Sequence, residues 1–143
     1  MKTLRQLLSG KRQPLAAVSP NDTVLDALQL MATHDVGALL VLDGEKLVGI
    51  FSERDYARKI ILHGKASKDT KISEIMSDKV LYVTLERTVD ECMAIMSEKH
   101  FRHLPVMDDQ QKVVGIVSIG DLVKETICEQ QFIIRQLESY IAG

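Results

Sequence analysis

Apolar and polar residues follow two different spacings along this chain. From Val24 to about residue 34, and again from Val89 to about residue 99, apolar side chains recur every three or four positions, which is typical of a helix with one buried face. The short apolar runs at 38–42 and 47–51 flank an Asp-Gly turn and indicate a two-stranded hairpin. The pattern therefore predicts short strands and helices in the order β-α-β-β-α.

This arrangement occurs twice. Residues 18–61 align with residues 83–127 when Asp109 is treated as a one-residue insertion, and 14 of the 44 aligned positions are identical. A shorter match joins residues 3–9 to residues 71–77. Because one repeat alone cannot bury both its sheet and its helices, the sequence predicts an α/β (α+β) fold of two β-α-β-β-α repeats, packed around a pseudo-two-fold axis.

Some positions modify this simple picture of the strands. Val18 and residues 81–83 are predicted to form the short first strands of the two repeats. Pro105 lies inside a predicted strand, where it cannot donate a hydrogen bond, so its N side should be unpaired or lie at a sheet edge. The polar stretch at 62–80 should connect the repeats and carry a short helix at 71–76.

The repeats also set the expected organisation of the chain. We expect a single module over residues 1–143, with a first repeat at 1–61, a connector at 62–70, a second repeat at 71–127 and a C-terminal helix at 128–143. That last segment carries a broad apolar stripe at helical spacing. The stripe fits two roles equally well, which are packing on its own module and forming a contact between two copies of the chain.

Composition argues against several classes of function. Net charge is −2 and aromatic residues make up only 4% of the chain, so it has neither the positive field nor the stacking surfaces of a nucleic-acid-binding protein. No apolar run is long enough to span a membrane, and the N-terminus lacks the apolar core of a secretory signal. Cys92 and Cys128 lie far apart in apolar helical patterns, which favours two buried thiols in a reducing compartment. We therefore expect a cytoplasmic protein without membrane or nucleic-acid partners.

The junction between the hairpin and the second helix of each repeat carries a Ser-x-x-Asp motif. The two strings are GIFSERD at 49–55 and GIVSIGD at 115–121. From the local sequence pattern alone the simplest interpretation is a helix cap, in which Ser and Asp accept hydrogen bonds from backbone N–H groups. Such a junction also offers N–H groups and a positive helix end to an anion, and a carboxylate there can accept hydrogen bonds from two ribose hydroxyls. The sequence is compatible with both interpretations.

These two strings and the order of elements resemble a tandem pair of cystathionine-β-synthase (CBS) domains, also called a Bateman module. The likeness covers residues 1–127, and SERDYARK, RHLPV and VSIGDLVK are similar to segments of the small stand-alone CBS-pair proteins of bacteria and plant organelles. The resemblance implies a regulatory module that binds an adenosine-containing ligand such as AMP, ATP or NAD(H), without a required metal. It also implies a homodimer that signals occupancy through a conformational change to a downstream protein target.

The resemblance assigns roles to particular residues. The ribose-binding acid of the family falls on Asp55 and Asp121, and its hydroxyl residue falls on Ser52 and Ser118. The other expected ligand contacts lie on the loop after the first strand or on the strand that flanks adenine, and they are Ser19, Thr84, Ala38, Leu39, His103 and Leu104.

Arg54, Arg102 and His103 are the candidates for phosphate contacts. An exposed position beside Glu53 explains Arg54 equally well. Arg102 and His103 occur only in the second repeat, so we expect the two clefts to differ. We rank Asp121 as the more important acid, because its motif lacks Glu53 and its own repeat supplies Arg102.

Two other classes of function are weighed against a sensor. A nucleotide-hydrolysing enzyme would be supported by a GxxxxGK[ST] loop, which the sequence lacks. A constitutive interaction module would keep the clefts without using them. His100-x-x-His103 has no further metal ligand at a matching spacing, and no nucleophile or base accompanies Asp55 and Asp121. We therefore expect a protein that is not an enzyme.

Overall fold

A computed structural model describes residues 2–9 and 15–142 of the chain. One short helix, at Glu53–Asp55, continues directly into a π-helical segment, in which hydrogen bonds span five residues instead of four. The elements are α1 (Leu4–Ser9), β1 (Ala17–Val18), α2 (Val24–His34), β2 (Ala38–Asp43), β3 (Lys46–Ser52), α3 (Glu53–Asp55), the π-helical segment (Tyr56–Ile61), α4 (Ile72–Ile75), β4 (Val83–Thr84), α5 (Val89–Lys99), β5 (His103–Met107), β6 (Val113–Ser118) and α6 (Ile119–Ala142).

Each repeat forms its own three-stranded sheet. The strand orders are β1-β2-β3 and β4-β5-β6, with a parallel first pair and an antiparallel hairpin in both. Even the irregularity is repeated, since the hairpin register shifts between Val41 and Leu42 and between Val106 and Met107. The predicted fold class of two β-α-β-β-α repeats is confirmed.

Pro105 explains why the parallel pairing of the second repeat is shifted by one residue relative to that of the first. In the first repeat the equivalent residue, Leu40, donates its amide to the carbonyl of Ala16 (3.3 Å). Pro105 has no amide hydrogen, so pairing between β4 and β5 begins only at Val83. The prediction of a strand over 81–83 was therefore wrong for its first two residues. Pro105 also lies in the central strand of its sheet, not at an edge.

The two short helices that open the repeats are exchanged between them. Leu4 and Leu7 of α1 lie in the hydrophobic core of the second repeat. Ile72 and Ile75 of α4 lie in the core of the first repeat. Since all four side chains are buried, each core is closed by a helix from elsewhere in the chain.

Equivalent backbone hydrogen bonds attach α1 and α4 to the opposite repeats. The amide of Leu4 donates to the carbonyl of Arg87 (2.8 Å), and the amide of Ile72 donates to the carbonyl of Asp22 (2.9 Å). Matching bonds at both crossovers are what a pseudo-two-fold axis requires. The repeat and connector boundaries proposed from the sequence remain predictions. The packing does not follow them, because α1 and α4 each lie in the core of the other repeat.

The helix α6 runs without a break from Ile119 to Ala142. The segment predicted as a separate C-terminal helix is therefore its second half. Its first half packs against α5, with Leu122 buried, whereas Cys128 is exposed. The expectation of two buried thiols holds for Cys92 and is wrong for Cys128. None of the described helices combines the length and apolar character needed to cross a membrane.

Two candidate ligand cavities

Two cavities lie where the repeats meet. The first has a volume of about 650 Å³ and is lined by Ser52 and Asp55 of the first motif. The second, which we call the companion cavity, has a volume of about 770 Å³ and is lined by Ser118 and Asp121 of the second motif. Both volumes are typical of small-molecule sites.

Each cavity combines the motif of one repeat with walls from the other. The first cavity takes residues 79–81 and 100–103 from the second repeat. The companion cavity takes residues 7–8, 15–16 and 33–38 from the first repeat. A ligand in either cavity would therefore touch both repeats.

Both motifs cap their helices. The amide of Ser52 donates to Asp55 Oδ2 (3.0 Å), and the amide of Asp55 donates to Ser52 Oγ (3.2 Å). The second motif is the same, with 3.0 Å from the Ser118 amide to Asp121 Oδ2 and 3.1 Å from the Asp121 amide to Ser118 Oγ. The helix-cap interpretation is therefore confirmed for both copies.

Capping leaves acceptor capacity on Asp55. Its Oδ2 serves the cap, while Oδ1 lies 3.4 Å from Ser77 Oγ and 3.6 Å from Lys59 Nζ. An ionised carboxylate has about four acceptor positions. The cap and a ribose contact are thus compatible roles for this side chain.

The first cavity is strongly basic, and we call it the basic cavity. Five Arg or Lys residues line it against only two acids, Glu53 and Asp55. In contrast, no Lys or Arg is among the described residues that line the companion cavity. The expected difference between the clefts is thus visible in their charge. The five cations are Arg54, Arg58, Lys59, Lys79 and Arg102.

Arg102 lines the basic cavity, together with Asp55 of the other repeat. Asp121 was ranked above Asp55 partly because Arg102 belongs to the same repeat as Asp121. The cavity walls are exchanged between the repeats, so Arg102 lies in the cavity of Asp55 instead. This reason for ranking Asp121 above Asp55 is therefore removed.

Three cations of the basic cavity were missed from the sequence. Arg58 and Lys59 lie on the π-helical segment, whose counterpart in the second repeat is ordinary α-helix. Lys59 also donates to the carbonyl of Ile75 (3.0 Å), which ties it to the exchanged helix α4. The basic residues of YARK, directly after the motif, could have indicated that Arg58 and Lys59 line the cavity. The position of Lys79 follows from the packing of α4 on the first repeat, and no local sequence pattern indicates it.

A close backbone approach brings the connector to the basic cavity. Ile50 and Ser77 exchange two backbone hydrogen bonds of 3.0 Å. A Cβ at Gly49 would lie 2.6 Å from Met76 Sδ and 3.0 Å from the Ser77 carbonyl oxygen, so only glycine fits without movement. This contact holds Ser77 against Asp55 and leads the chain on to Lys79.

His103 lies between the cavities and lines both. Its Nε2 would lie 3.7 Å from a Cβ on Gly37 of the first repeat, so the imidazole packs against the opposite repeat. Burial lowers the pKa of His103 below its ordinary value, and Asp121 and Glu53 partly oppose that effect.

Several expected contacts lie elsewhere. Leu39 and Leu104 are fully buried in the two cores. Ser19 accepts the amide of Asp22 on its carbonyl and Thr84 lies in β4, and neither lines the two cavities. The segment before each first strand lines the cavities in place of the loop after it. Ala38, expected beside adenine, lines the companion cavity.

A metal site would need further ligands beside His100 and His103. Within residues 2–9 and 15–142, His, Cys, Asp and Glu side chains form no group of three or more that could hold a metal ion. His100 and His103 both line the basic cavity.

Comparison with known proteins agrees with the duplicated fold. The CBS domain family matches residues 8–62 and 72–127, so this chain belongs to that family and carries two CBS domains in tandem. The chain is 42% identical over 128 residues to the CBS domain-containing protein CBSX3, mitochondrial, of Arabidopsis thaliana. That match covers 86% of this chain and 62% of the plant protein, so the chain spans less than two thirds of that relative.

Solved structures show the same fold. A putative signal-transduction protein with CBS domains from Burkholderia ambifaria MC40-6 has a TM-score of 0.85 at 48% identity, covering 90% of this chain and 96% of that one. The CBS domain pair of MJ0100, in complex with 5′-methylthioadenosine and S-adenosyl-L-methionine, has a TM-score of 0.79 at 26% identity, covering 90% and 98%. Hypoxic Response Protein I, with two coordinated zinc ions, has a TM-score of 0.70 at 28% identity, covering 87% and 99%.

Proposed function

We propose that this protein is a non-enzymatic sensor that binds a phosphate-bearing adenosine ligand, of the class of AMP, ATP or NAD(H), in the basic cavity. The observation that carries the proposal is that one cavity combines a carboxylate with five Arg and Lys residues. The carboxylate is that of Asp55, which caps its helix and still has free acceptor positions.

The carboxylate suits a ribose. Asp55 Oδ1 lies within reach of two donors of the protein, Ser77 and Lys59. Vicinal hydroxyls of a ribose are donors of the same kind and can share the remaining acceptor positions. Ser52, whose hydroxyl caps the same turn, is a second polar group at this end of the cavity.

The cations suit phosphate. Arg54 and Arg58 come from the first repeat and Arg102 from the second, so a phosphate between them would be held from both sides. Arginine forms paired hydrogen bonds to phosphate oxygens.

The relatives support the adenosine part of the ligand. MJ0100 was crystallised with two adenosine compounds, neither of which carries a phosphate. The expectation of phosphate therefore rests on the basic lining of this chain's own cavity. No metal is needed for this proposal, although a zinc-containing relative means that a metal-free state remains a prediction.

Signalling follows from the exchanged walls. A ligand that contacts Asp55 and Arg102 draws the two repeats together, and it shifts their arrangement only as far as it binds one arrangement better than another. A downstream protein would read that shift. The cytoplasmic compartment stays a prediction, since the Arabidopsis relative carries the name of a mitochondrial protein.

Calorimetric titration with AMP, ATP, NADH and adenosine tests the proposal. We expect the phosphate-bearing ligands to bind at least about tenfold more tightly than adenosine, and Arg102→Ala to remove most of that difference. Turnover of the bound nucleotide would favour the enzyme alternative. Absence of binding by every adenine compound would favour a constitutive interaction module.

A further inference from the structure

The imidazole of His103 lies between the two Ser-x-x-Asp turns. His103 is the first residue of β5, where it pairs with Ser118 of the second turn. Its Nε2 lies 3.7 Å from the position of a Cβ on Gly37, and the carboxyl carbon of Glu53 in the first turn lies 3.9 Å from the same position. The equivalent residue of the first repeat is Ala38, which also pairs with its own motif serine. The pair of repeats therefore has one imidazole at this place, and it lines both cavities.

The His103 ring is available to a ligand. Within residues 2–9 and 15–142 its nitrogens take part in no hydrogen bond and no ion pair, although the residue is half-buried. A neutral imidazole donates a hydrogen bond through one nitrogen, and both nitrogens donate once the ring is protonated. A protonated His103 would therefore offer a phosphate a hydrogen bond together with a positive charge.

The surroundings of His103 control whether the ring carries a proton. Burial lowers the pKa of His103 below its ordinary value, and Arg102 acts in the same direction, whereas Asp121 of α6 and Glu53 of α3 oppose both effects. Without a ligand the ring is therefore mainly neutral near pH 7. The other charged or titratable residues that line the cavities on either side are Arg54, Asp55, Arg58, Lys59, Lys79 and His100 in the basic cavity, and His34 and Asp35 in the companion cavity.

We propose that His103 takes up a proton when a phosphate-bearing ligand binds in the basic cavity, so that the preference for phosphate over a neutral ligand increases as the pH falls. The proposal rests on the proposed function of the basic cavity as a phosphate site. A phosphate monoester brings a charge of about −1.5 to −2 near neutral pH. This charge offsets the repulsion between Arg102 and a protonated ring. Because the two binding events are linked, the proton and the phosphate increase each other's affinity by the same factor.

Calorimetric titrations with AMP and adenosine at pH 8.0 and pH 6.0 test the proposal, with His103→Gln as the comparison. From pH 8.0 to pH 6.0, the ratio of AMP affinity to adenosine affinity should rise about threefold more in the wild-type protein than in His103→Gln. The phosphate of AMP itself titrates near pH 6, but that effect is common to both proteins and cancels between them. Equal pH dependence in the two proteins would overturn the proposal.

His100→Gln is the matched control. His100 lines only the basic cavity and is exposed, so solvent and salt screen its charge. This variant should keep the pH dependence of the wild-type protein. Loss of the effect in His100→Gln but not in His103→Gln would assign the proton to His100 and would contradict the proposal.

Nuclear magnetic resonance gives a direct reading of the proton on His103. The chain has four histidines, and single His→Gln changes at His34, His63 and His100 assign three ring resonances. The fourth then belongs to His103 even where His103→Gln does not fold. Its titration midpoint should move to higher pH with AMP and should not move with adenosine, which a purely structural role would not produce.

The outcomes separate this proposal from the proposed function. AMP binding with an unmoved midpoint for His103 would overturn the proton uptake alone. Absence of AMP binding at both pH values would contradict the phosphate site and the proton uptake together.

Discussion

Arg102 of the second repeat and Asp55 of the first line one cavity. They meet because each motif lines a cavity whose other wall comes from the opposite repeat. The acid and the strongest phosphate candidate are therefore brought together from residues 47 positions apart in the chain. This relationship underlies the predictions on ligand binding.

Removing single cations should separate phosphate contacts from adenosine contacts. We expect Arg58→Ala and Lys79→Ala each to weaken AMP binding about tenfold, because a hydrogen bond to a charged group contributes about 1.5–3 kcal/mol. Adenosine affinity should change little. Calorimetry checks both ligands, with Lys46→Ala in the exposed hairpin as the control. An equal loss of adenosine affinity would show that these residues shape the cavity and do not bind phosphate.

The two equivalent glycines should differ in their tolerance of a side chain. Gly49→Ala drives a Cβ into Met76 and the Ser77 carbonyl, and we expect it to lower the free energy of unfolding by about 1–3 kcal/mol. Gly115→Ala meets only Leu8 side-chain carbons at 3.4 Å and 3.6 Å, and should cost much less. Chemical denaturation of both variants checks this. Equal losses would mean that the connector does not press on β3.

Stability should depend on pH through His103. Burial lowers its pKa in the folded protein below 6.5, with Arg102 acting in the same direction and Asp121 and Glu53 opposing it. The unfolded chain therefore takes up a proton first as the pH falls. The contribution of neutral His103 to the free energy of unfolding is therefore complete above about pH 6.5. It is lost as the pH falls through the lower pKa that His103 has in the folded protein.

We accordingly expect the melting temperature to fall between pH 7.5 and pH 5.5, and to fall less in His103→Gln. The other histidines remain in that variant and provide the background. Thermal unfolding at the two pH values makes the comparison. Identical pH dependence in both proteins would remove His103 as the cause.

Much of the fold could be predicted from the sequence, because periodicity and the internal repeat are local signals. The caps at Thr23 and Thr88, the hairpins and both Ser-x-x-Asp turns lie as expected. The exchange of α1 and α4 could not be predicted in this way, since it depends on which core each helix fills. The cleft that Arg102 lines could not be predicted from the sequence either, because each cavity takes its second wall from the opposite repeat.

Local backbone geometry accounts for the other differences. Nothing in the apolar spacing of YARKII distinguishes a π-helix from an α-helix, yet Arg58 and Lys59 lie on it. Pro105 was recognised as unable to pair, but its effect on the neighbouring strand required the register with Leu40 as a reference.

The most direct test of the sensor account compares Asp55→Asn with Asp121→Asn in calorimetric titrations with AMP. Asparagine still caps a helix, so both variants should keep a near-normal melting temperature. We predict at least about tenfold weaker AMP binding for Asp55→Asn, equivalent to about 1.4 kcal/mol, and a smaller change for Asp121→Asn. Unchanged affinity in Asp55→Asn would contradict the account, because the motif at 52–55 would then be only a helix cap.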